Sequence, residues 1–332
     1  MSAAESVQLT PHEIYSLIED EMAQVDEEIA RQSSAGVPLI DKIGQYICSS
    51  GGKRIRPAIL LLGSRMCGYN GPIGPRLGAV IEMLHSATLL HDDIIDNASV
   101  RRGRASVNAQ WGNEITVLMG DWLYMTAFRL ALGERRLKIL DVLIEATRKM
   151  VEGELIQLAF NGDLDITEEQ HLDISTRKTA YLFSACSQLA AILGSTGEAK
   201  EEQMRLYGLN VGLAFQLVDD VLDFTSDEST LGKPVGSDLK EGKLTLPLIY
   251  LMRDGEPRHR ELVRSALRNS NLDAARREEI FQLVRDYHTA DRVLEKAHHY
   301  ARKAITCLED FPSGKARDAL VSIPEYIVER DR

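Results

Sequence analysis

The stretch IEMLHSATLLHDDIID, residues 81–96, joins a nearly continuous apolar run to three aspartates within five positions. Asp92 and Asp96 are four residues apart, a spacing that places both on one face of an α-helix, with Asp93 beside them. Like charges one turn apart repel each other, so an isolated cluster costs stability unless a cation neutralises it. The stretch therefore predicts a core helix that ends in a cation-binding cluster.

A second stretch, AFQLVDDVLD at residues 214–223, repeats this arrangement with Asp219, Asp220 and Asp223. It follows far enough along the chain for intervening helices to bring it back antiparallel to the first. Carboxylate oxygens suit Mg²⁺, which keeps coordination sites for water and substrate phosphates, whereas zinc prefers histidine and cysteine. One acidic helix end is often only a solvated surface, but two clusters that each end an apolar helix favour a paired metal site.

The rest of the chain also reads as helical. Of its 332 residues, 44% are hydrophobic and only 6% aromatic, which supports a sizeable core and disfavours a β-sandwich. Apolar residues recur at helical spacing over 14–32, 57–67, 76–96, 113–131, 135–160, 168–193, 200–224, 244–253, 258–268, 274–287, 290–310 and 314–330. Glycine and proline cluster between these segments, and no strand pattern or linker interrupts them. We predict one all-α domain over residues 1–332, with residues 1–9 flexible.

The charge and the cysteines limit the function and the compartment. A formal net charge of −11 argues against a nucleic-acid partner, which usually meets a basic surface. The four cysteines lie in or beside apolar helical segments and form no CxxC pair, so we expect buried free thiols; they are Cys48, Cys67, Cys186 and Cys307. We see neither a secretory signal nor a run of about 18 apolar residues for a membrane span. These features favour a reducing, cytoplasmic location.

Two groups of basic residues flank the first aspartate cluster in the sequence. GGKRIRP, residues 51–57, places Lys53, Arg54 and Arg56 after a glycine pair and near a predicted helix start, which is a favourable anion site. Arg101 and Arg102 follow the cluster, and arginine suits diphosphate oxygens better than lysine does. Such residues can also be a solvated charge run, an alternative that this pattern alone leaves open.

Further polar candidates lie near the two clusters. Lys178 and Thr179 occur within an apolar helical segment, where a lysine either extends to solvent or points into a polar cavity. Lys233 and Lys243 lie in the Gly- and Pro-rich segment after the second cluster. His85 precedes the first cluster by two helical turns on the same face. A lone histidine is usually a core residue, and only that shared face makes it a candidate.

Taken together, these motifs resemble the all-trans polyprenyl diphosphate synthases. The two aspartate motifs, GGKRxRP, RRG, KT, and GKxxG with GKxTxP occur in the family order from about residue 10 to residue 330. HSATLLHDDIID, GDWLY and VERDR are most similar to long-chain bacterial members, whose products become quinone side chains. The resemblance implies an antiparallel helical bundle around a deep central apolar pocket, usually as a homodimer.

The resemblance also implies roles for individual residues. About three Mg²⁺ ions would be held by Asp92, Asp96 and Asp219, with Asp93, Asp220 and Asp223 supporting them directly or through water. The residues implied for the allylic diphosphate are Arg101, Lys178, Thr179, Gln216, Lys233 and Lys243. Those implied for the diphosphate of isopentenyl diphosphate are Lys53, Arg56, His85 and Arg102.

The implied activity is that of a trans-prenyltransferase. It would condense isopentenyl diphosphate with an allylic diphosphate, farnesyl or geranylgeranyl, by ionisation, condensation and elimination, giving a long-chain all-trans product. Metal ions and cationic side chains would stabilise the departing diphosphate, binding would position the second substrate, and apolar walls would exclude water. The released diphosphate is the implied base, so no dedicated protein base is expected. We expect an octaprenyl product and at most a transient membrane contact for its release.

Product length is expected to depend on residues one turn below the first cluster. Ala87 and Thr88 are small, whereas an aromatic residue there would block the pocket after a few additions. Their size predicts a long product, although small residues also let two helices pack closely. We expect the pocket floor at Met119, Leu123 or Tyr124 on the next helix.

Other functions remain open at this point. One is a shorter-chain synthase that makes farnesyl or geranylgeranyl diphosphate. Another is a terpene cyclase, which the complete set of residues for a second substrate disfavours. A third is a non-catalytic partner subunit, which the presence of both aspartate clusters disfavours, and a fourth is a purely structural bundle.

Overall fold

The computed structural model describes residues 8–49, 51–226, 236–268 and 273–330. The elements are α1 (Pro11–Ser16), α2 (Glu19–Gln32), α3 (Pro38–Ser49), α4 (Ile55–Met66), α5 (Ile73–Ile95), β1 (Val100–Arg101), β2 (Arg104–Ala105), α6 (Val107–Trp111), α7 (Asn113–Gly133), α8 (Leu137–Phe160), α9 (Glu168–Ser175), a π-helical turn (Thr176–Ala180), α10 (Tyr181–Leu193), α11 (Glu198–Thr225), α12 (Ser237–Lys240), α13 (Leu246–Asp254), α14 (Pro257–Arg268), α15 (Ala274–Asp286), α16 (Thr289–Thr306) and α17 (Lys315–Glu329). The all-α prediction is confirmed.

The first helix begins at the predicted capping box. Glu13 N donates to Thr10 Oγ1 over 3.3 Å, and Thr10 N donates to Glu13 Oε2 over 2.8 Å, with Pro11 at the first helical position. The helical segment expected over 14–32 is interrupted, because Ile18 leaves the helical conformation at φ −130° and α2 begins after it. Residues 1–7 lie outside the described residues, whereas the Leu9 amide donates to Ser322 Oγ over 3.0 Å, which anchors this end of the chain.

The long helices form the core. α10 packs against α4 and α11, α11 against α16, and α5 against α7. Their apolar side chains join one continuous hydrophobic cluster among the described residues, which includes Leu84, Phe183 and Leu217, all fully buried. α5 and α11 run through this cluster and reach the aspartates at their C-terminal ends. The core thus fixes the direction of the two helices that carry the carboxylates.

Some elements were not predicted from the sequence. α3, α6 and α12 were missed, and so was a hairpin in which Val100 pairs with Ala105 and Arg101 with Arg104. Its strands have two residues each, too few for alternation to be recognised. The predicted helix over 168–193 contains a π-helical turn, where the Tyr181 amide donates to the Thr176 carbonyl five residues earlier.

The sequence showed no apolar run long enough for a membrane span, but α7 differs from this expectation. Within the described ranges it is long and apolar enough to cross a membrane, judged by length and composition alone. Core helices of soluble proteins meet the same criterion, and α7 packs along α5 as part of the bundle.

Candidate active site

The first aspartate cluster lies at the end of α5. Asp93 is almost fully buried, and its Oδ1 accepts from Arg101 Nη2 at 2.6 Å and Nε at 2.8 Å. Asp96 Oδ1 accepts from Lys243 Nζ over 2.9 Å, and the same ammonium lies 2.7 Å from Glu241. Lys243 follows the second cluster in the chain, so this pair brings the two predicted metal-binding regions together. Burial lowers the pKa of Lys243, but Glu241 and Asp96 outweigh it and raise that pKa above its usual value.

Asp92 differs from its two neighbours. Burial, together with the charges of Glu154 and Asp96, raises the pKa of Asp92 to about 6, and the ammonium of Lys178 only partly opposes this. Within the described part of the chain, no side chain donates a hydrogen bond to this carboxylate. Asp92 is therefore a carboxylate whose charged form needs a nearby cation.

The second cluster is held more closely by the protein. Asp220 is buried; Gln216 Nε2 donates to its Oδ1 over 2.9 Å, and His171 Nε2 lies 2.8 Å from its Oδ2. Asp223 is fully buried and accepts from the backbone amides of Ser237 at 3.3 Å and Asp238 at 3.2 Å. The two carboxylates therefore organise the local structure.

Asp219 is the more exposed carboxylate of the second cluster, with 42% of its side chain accessible. The guanidinium of Arg330 forms an ion pair with it and stacks on the Phe215 ring at 4.4 Å. Asp219 is therefore partly accessible and already has a basic group beside it.

The π-helical turn places Lys178 and Thr179 between two helices. Lys178 Nζ lies 2.5 Å from Glu154 Oε2 and 2.7 Å from Gln157 Oε1, both on α8. Thr179 Oγ1 donates to Gln216 Oε1 over 2.7 Å on α11. The structure thus brings the KT motif to both sides of the site, next to the first cluster and linked to the second.

The residues predicted for the second diphosphate form a basic, partly buried region. Arg56 is half-buried and stacks on Phe183 at 4.4 Å, and burial lowers its pKa. Its Nε is buried without a hydrogen-bond partner among the described atoms. Burial lowers the pKa of His85 well below its usual range, and Arg56 and Arg102 act in the same direction. His85 is therefore a neutral imidazole in a cationic environment.

Three other basic residues of this region have different surroundings. Arg54 pairs with Glu82 at 2.6 Å and with Asp26 at 3.1 Å, so this guanidinium already has carboxylate partners. Arg102 donates to the Gly51 carbonyl, which joins the hairpin to the GGKRIRP segment. Lys53 is exposed at the edge of the same segment. A small cavity of about 60 Å³ lies behind Arg54, Arg101 and Arg102.

The α5–α7 interface contains the residues predicted to control product length. Ala87 is fully buried, and Thr88 Oγ1 lies 2.9 Å from Tyr124 Oη. A Cβ at Gly120 would lie 2.3 Å from His91 Nε2. Together with the Thr88–Tyr124 contact, this shows that α7 runs antiparallel to α5, so residues later in α7 lie farther from the aspartates at the end of α5. Met119 consequently lies near the level of the aspartates, and its predicted place in the pocket floor stays a prediction. Leu123 and Tyr124 lie about one turn lower.

The donor set fits Mg²⁺. The three predicted ligands Asp92, Asp96 and Asp219 are hard oxygen donors, none of them fully buried. Within residues 8–49, 51–226, 236–268 and 273–330, no three acidic, histidine or cysteine side chains converge enough to hold an ion by themselves. Water and substrate diphosphate would therefore complete the coordination, as Mg²⁺ commonly requires.

The sequence interpretation missed Glu154, Gln157, His171 and the role of Arg330. Their spacing carries no distinctive pattern, and only the tertiary contacts reveal them. Lys233 lies outside the described residues, so its predicted role has no structural account. A larger cavity of about 430 Å³ between α8, α10 and the start of α11 contains none of the predicted site residues.

Comparison with known proteins identifies the class. The family profile described as polyprenyl synthetase matches residues 37–284. The chain therefore belongs to the polyprenyl synthetase family and is a prenyltransferase, as its motifs predicted.

Individual relatives match almost the whole chain. It is similar to octaprenyl diphosphate synthase of Escherichia coli, with 40% identity over 96% of this chain and 98% of that protein. It is also 36% identical to a geranyl-diphosphate-specific all-trans-nonaprenyl-diphosphate synthase of Rhodobacter capsulatus, over 96% of this chain and 97% of that protein. The crystal structure of a Caulobacter crescentus polyprenyl synthase, complexed with calcium and isoprenyl diphosphate, has a TM-score of 0.94 at 36% identity, covering 98% and 99% of the two chains.

Proposed function

We propose that this prenyltransferase extends an allylic diphosphate with isopentenyl diphosphate to all-trans octaprenyl diphosphate, for the side chain of a quinone. The observation that carries the proposal is the contact between the two aspartate regions. Lys243, from the segment after the second cluster, lies 2.9 Å from Asp96 of the first. This contact gives one site in which carboxylates from α5 and α11 can share a diphosphate with basic side chains.

The metal-binding residues in this proposal are Asp92, Asp96 and Asp219, for about three Mg²⁺ ions. When bound, Mg²⁺ supplies positive charge that stabilises the leaving diphosphate. Asp93, Asp220 and Asp223 support this set from buried positions, where Arg101, Gln216 and the amide of Ser237 hold them.

The two diphosphates occupy different sides of the site. The allylic diphosphate is bound by Arg101, Lys178, Thr179, Gln216, Lys233 and Lys243. The diphosphate of isopentenyl diphosphate is bound by Lys53, Arg56, His85 and Arg102. The buried Nε of Arg56, unpartnered among the described atoms, supports this division, since a buried donor gains from an anionic acceptor.

The chain's own residues act by binding, orienting and excluding water. Lys178 and Lys243 face the charge that develops on the leaving oxygen, and Arg56 holds the second substrate so that its double bond meets the allylic carbon. The buried apolar side chains of α5 and α7 keep water from the cation. The released diphosphate takes the proton, so no protein base is invoked.

Octaprenyl length rests on the similarity to the Escherichia coli enzyme and on the small side chains Ala87 and Thr88. Another relative is a nonaprenyl diphosphate synthase, so the main alternative is a product of similar length, such as nonaprenyl diphosphate. The hydrogen-bonded pair Thr88–Tyr124 narrows the space one turn below Asp92. We propose that this pair forms the first constriction and that the chain passes it toward the C-terminal half of α7.

We further propose a homodimer formed through α7 and α8. Both helices carry exposed apolar side chains at a spacing of seven residues, which is typical of helix–helix contacts. They are Leu118, Met125 and Leu132 on α7, and Leu137, Ile144, Val151 and Leu158 on α8. Their exposed fractions range from 41% to 74%. Monomeric soluble proteins rarely expose so many large apolar side chains together. A second copy of this chain offers the same two stripes, which suits a two-fold interface.

We propose a cytoplasmic location with transient membrane contact for product release. All four cysteines are free thiols, and burial raises the pKa of Cys67 to about 11. Unpaired cysteines are typical of a reducing compartment.

Incubation of the purified protein with Mg²⁺, labelled isopentenyl diphosphate and geranyl, farnesyl or geranylgeranyl diphosphate tests the function. We expect chromatography of the dephosphorylated product to give the octaprenyl alcohol, and chelation of Mg²⁺ to abolish its formation. Products of four or fewer units would indicate a short-chain synthase. A cyclic hydrocarbon without labelled units would indicate a cyclase, and turnover only with an added subunit would indicate a partner role.

A further inference from the structure

The π-helical turn Thr176–Ala180 occupies a narrow space between α8 and α11. Two adjacent side chains leave it in different directions, with Lys178 reaching Glu154 on α8 and Thr179 reaching Gln216 on α11. A regular α-helix closes its hydrogen bonds over four residues, whereas this turn takes five and widens locally. Because the turn is wider, its backbone lies closer to α8 and α11, and little room is left for side chains of those helices that face it.

A glycine faces the turn from each neighbouring helix. On α8, a Cβ at Gly153 would lie 2.7 Å from the Lys178 backbone nitrogen and 2.8 Å from Arg177 Cβ. On α11, a Cβ at Gly212 would lie 2.5 Å from the Cα of Ala180. Both clashes involve backbone atoms, which cannot move aside as a flexible side-chain end can. A methyl group at either position would therefore displace the turn.

We propose that Gly153 and Gly212 are positioning residues for the allylic diphosphate, acting through Lys178 and Thr179. The inference rests on the proposed function, in which these two residues bind that diphosphate. Displacing the turn by about 1 Å moves the ammonium and the hydroxyl together, and misplacement of this size can cost about 100-fold in rate. The basic residues of the second diphosphate lie on other elements. Arg56 stacks at 4.4 Å on Phe183, whose ring lies 3.1 Å from a Cβ built at Gly212, whereas a Cβ at Gly153 would meet Arg177 and Lys178. Gly153 therefore separates the two substrates more cleanly than Gly212 does.

Gly208 offers a matched control for a purely structural effect. It lies on α11 one turn before Gly212, and its Cβ would lie 2.3 Å from the Phe183 carbonyl and 2.2 Å from Ser187 Oγ. The clash is as severe as that at Gly212, but it falls on α10 instead of the π-helical turn. If the glycines serve helix packing alone, alanine at Gly208 and at Gly212 should affect the two substrates in the same way. If Gly212 positions the turn, only Gly212→Ala should weaken the allylic substrate selectively.

The experiment compares Gly153→Ala, Gly212→Ala and Gly208→Ala in the full chain. Separate KM values for farnesyl diphosphate and isopentenyl diphosphate are measured, together with direct binding of farnesyl diphosphate in Mg²⁺ without the second substrate. We expect Gly153→Ala and Gly212→Ala to weaken farnesyl diphosphate binding at least about tenfold. The KM for isopentenyl diphosphate should change less than about twofold in Gly153→Ala, and in Gly212→Ala it should rise less than the KM for farnesyl diphosphate does. Gly208→Ala should lower Tm without this selectivity.

Equal losses for both substrates in all three variants would overturn the proposal. So would a failure of Gly153→Ala and Gly212→Ala to fold while Gly208→Ala folds, because the glycines would then be needed for the fold itself. If only one of Gly153→Ala and Gly212→Ala folds, the substrate selectivity of that variant decides whether the positioning proposal holds. An inactive wild-type chain would instead count against the proposed function, whereas an active wild type with unselective variants counts against positioning alone.

Discussion

The carboxylates at the end of α5 and those at the end of α11 share one spacing but have different surroundings. In the first cluster, Asp93 is tied to Arg101, while Asp92 and Asp96 stay partly accessible. In the second, both Asp220 and Asp223 are buried and bonded to protein groups, and Asp219 alone keeps substantial exposure. The same DDxxD pattern therefore provides two accessible carboxylates at the end of α5 and one at the end of α11.

The difference follows from what each helix meets at its C-terminal end. α5 ends at a short hairpin, whose Arg101 reaches only the middle aspartate. α11 ends against a segment whose amides at Ser237 and Asp238 bind the last aspartate, while His171 binds the middle one. A carboxylate that already accepts charge-assisted hydrogen bonds from the protein has fewer lone pairs left for a metal ion, so we propose that burial separates the structural aspartates from the metal ligands.

The largest effect that tests this comparison is expected from the accessible carboxylates. Asp92→Asn and Asp219→Asn should each lower kcat at least about 100-fold, because each removes a carboxylate charge that we propose holds the Mg²⁺ needed to stabilise the leaving diphosphate. Circular dichroism and Tm should show an intact fold. Asp223→Ala should instead lower Tm, since two buried amides lose their acceptor. Near-normal turnover in Asp92→Asn or Asp219→Asn would contradict the division.

A second prediction concerns the helix below the first cluster. Ala87→Tyr should shorten the main product, because the ring fills the space beside Thr88 and Tyr124. Chromatography of the dephosphorylated products measures the shift. Ala109→Tyr, the same substitution at an exposed alanine of α6, is the control. Retained activity with unchanged product length would show that Ala87 serves helix packing instead.

The second cluster has a buried histidine whose partner is the middle aspartate. His171→Gln should raise the Mg²⁺ concentration for half-maximal activity about tenfold, since groups that orient ligands affect metal affinity by about 10–100-fold. The exposed pair His288–Asp291, 3.1 Å apart, provides a matched control, and His288→Gln should change nothing. Equal Mg²⁺ requirements in wild type and His171→Gln would assign the pair to stability alone.

The smallest effect concerns the histidine of the first region. Burial holds the folded pKa of His85 well below its unfolded value of about 6.5. As the pH falls below about 6.5, the unfolded chain gains a proton that the folded chain does not, so stability decreases by at most about 1.4 kcal/mol per pH unit. His85→Gln should flatten the decline of Tm between pH 7.5 and pH 5.5. Parallel declines in both proteins would refute a neutral, buried His85.

Much of the fold and of the site could be predicted from the sequence because it is encoded locally. The Thr10 capping box and the aspartates of α5 and α11 depend on spacing along one helix, and all lie in the expected elements. Membership of the polyprenyl synthetase family was likewise predicted and is confirmed.

What the sequence did not reveal depends on contacts between distant segments. The pairs Lys178–Glu154, Asp220–His171 and Asp219–Arg330 each join residues far apart in the chain, and no periodicity encodes them. The π-helical turn was missed for a related reason: its local sequence is compatible with a regular helix, and only α8 and α11 together accommodate the extra residue.

Helix α7 shows one consequence for engineering. Leu123 and Ala127 are buried toward the core, whereas Leu118 and Met125 on the same helix form the exposed stripe. A rotation of α7 about its axis changes both faces at once. For the dimer proposed above, selection for altered product length should therefore also recover substitutions on the outer stripe, and selection for tighter pairing through that stripe should change the product spectrum. Product length would then depend on the contact between the two protomers of the proposed dimer.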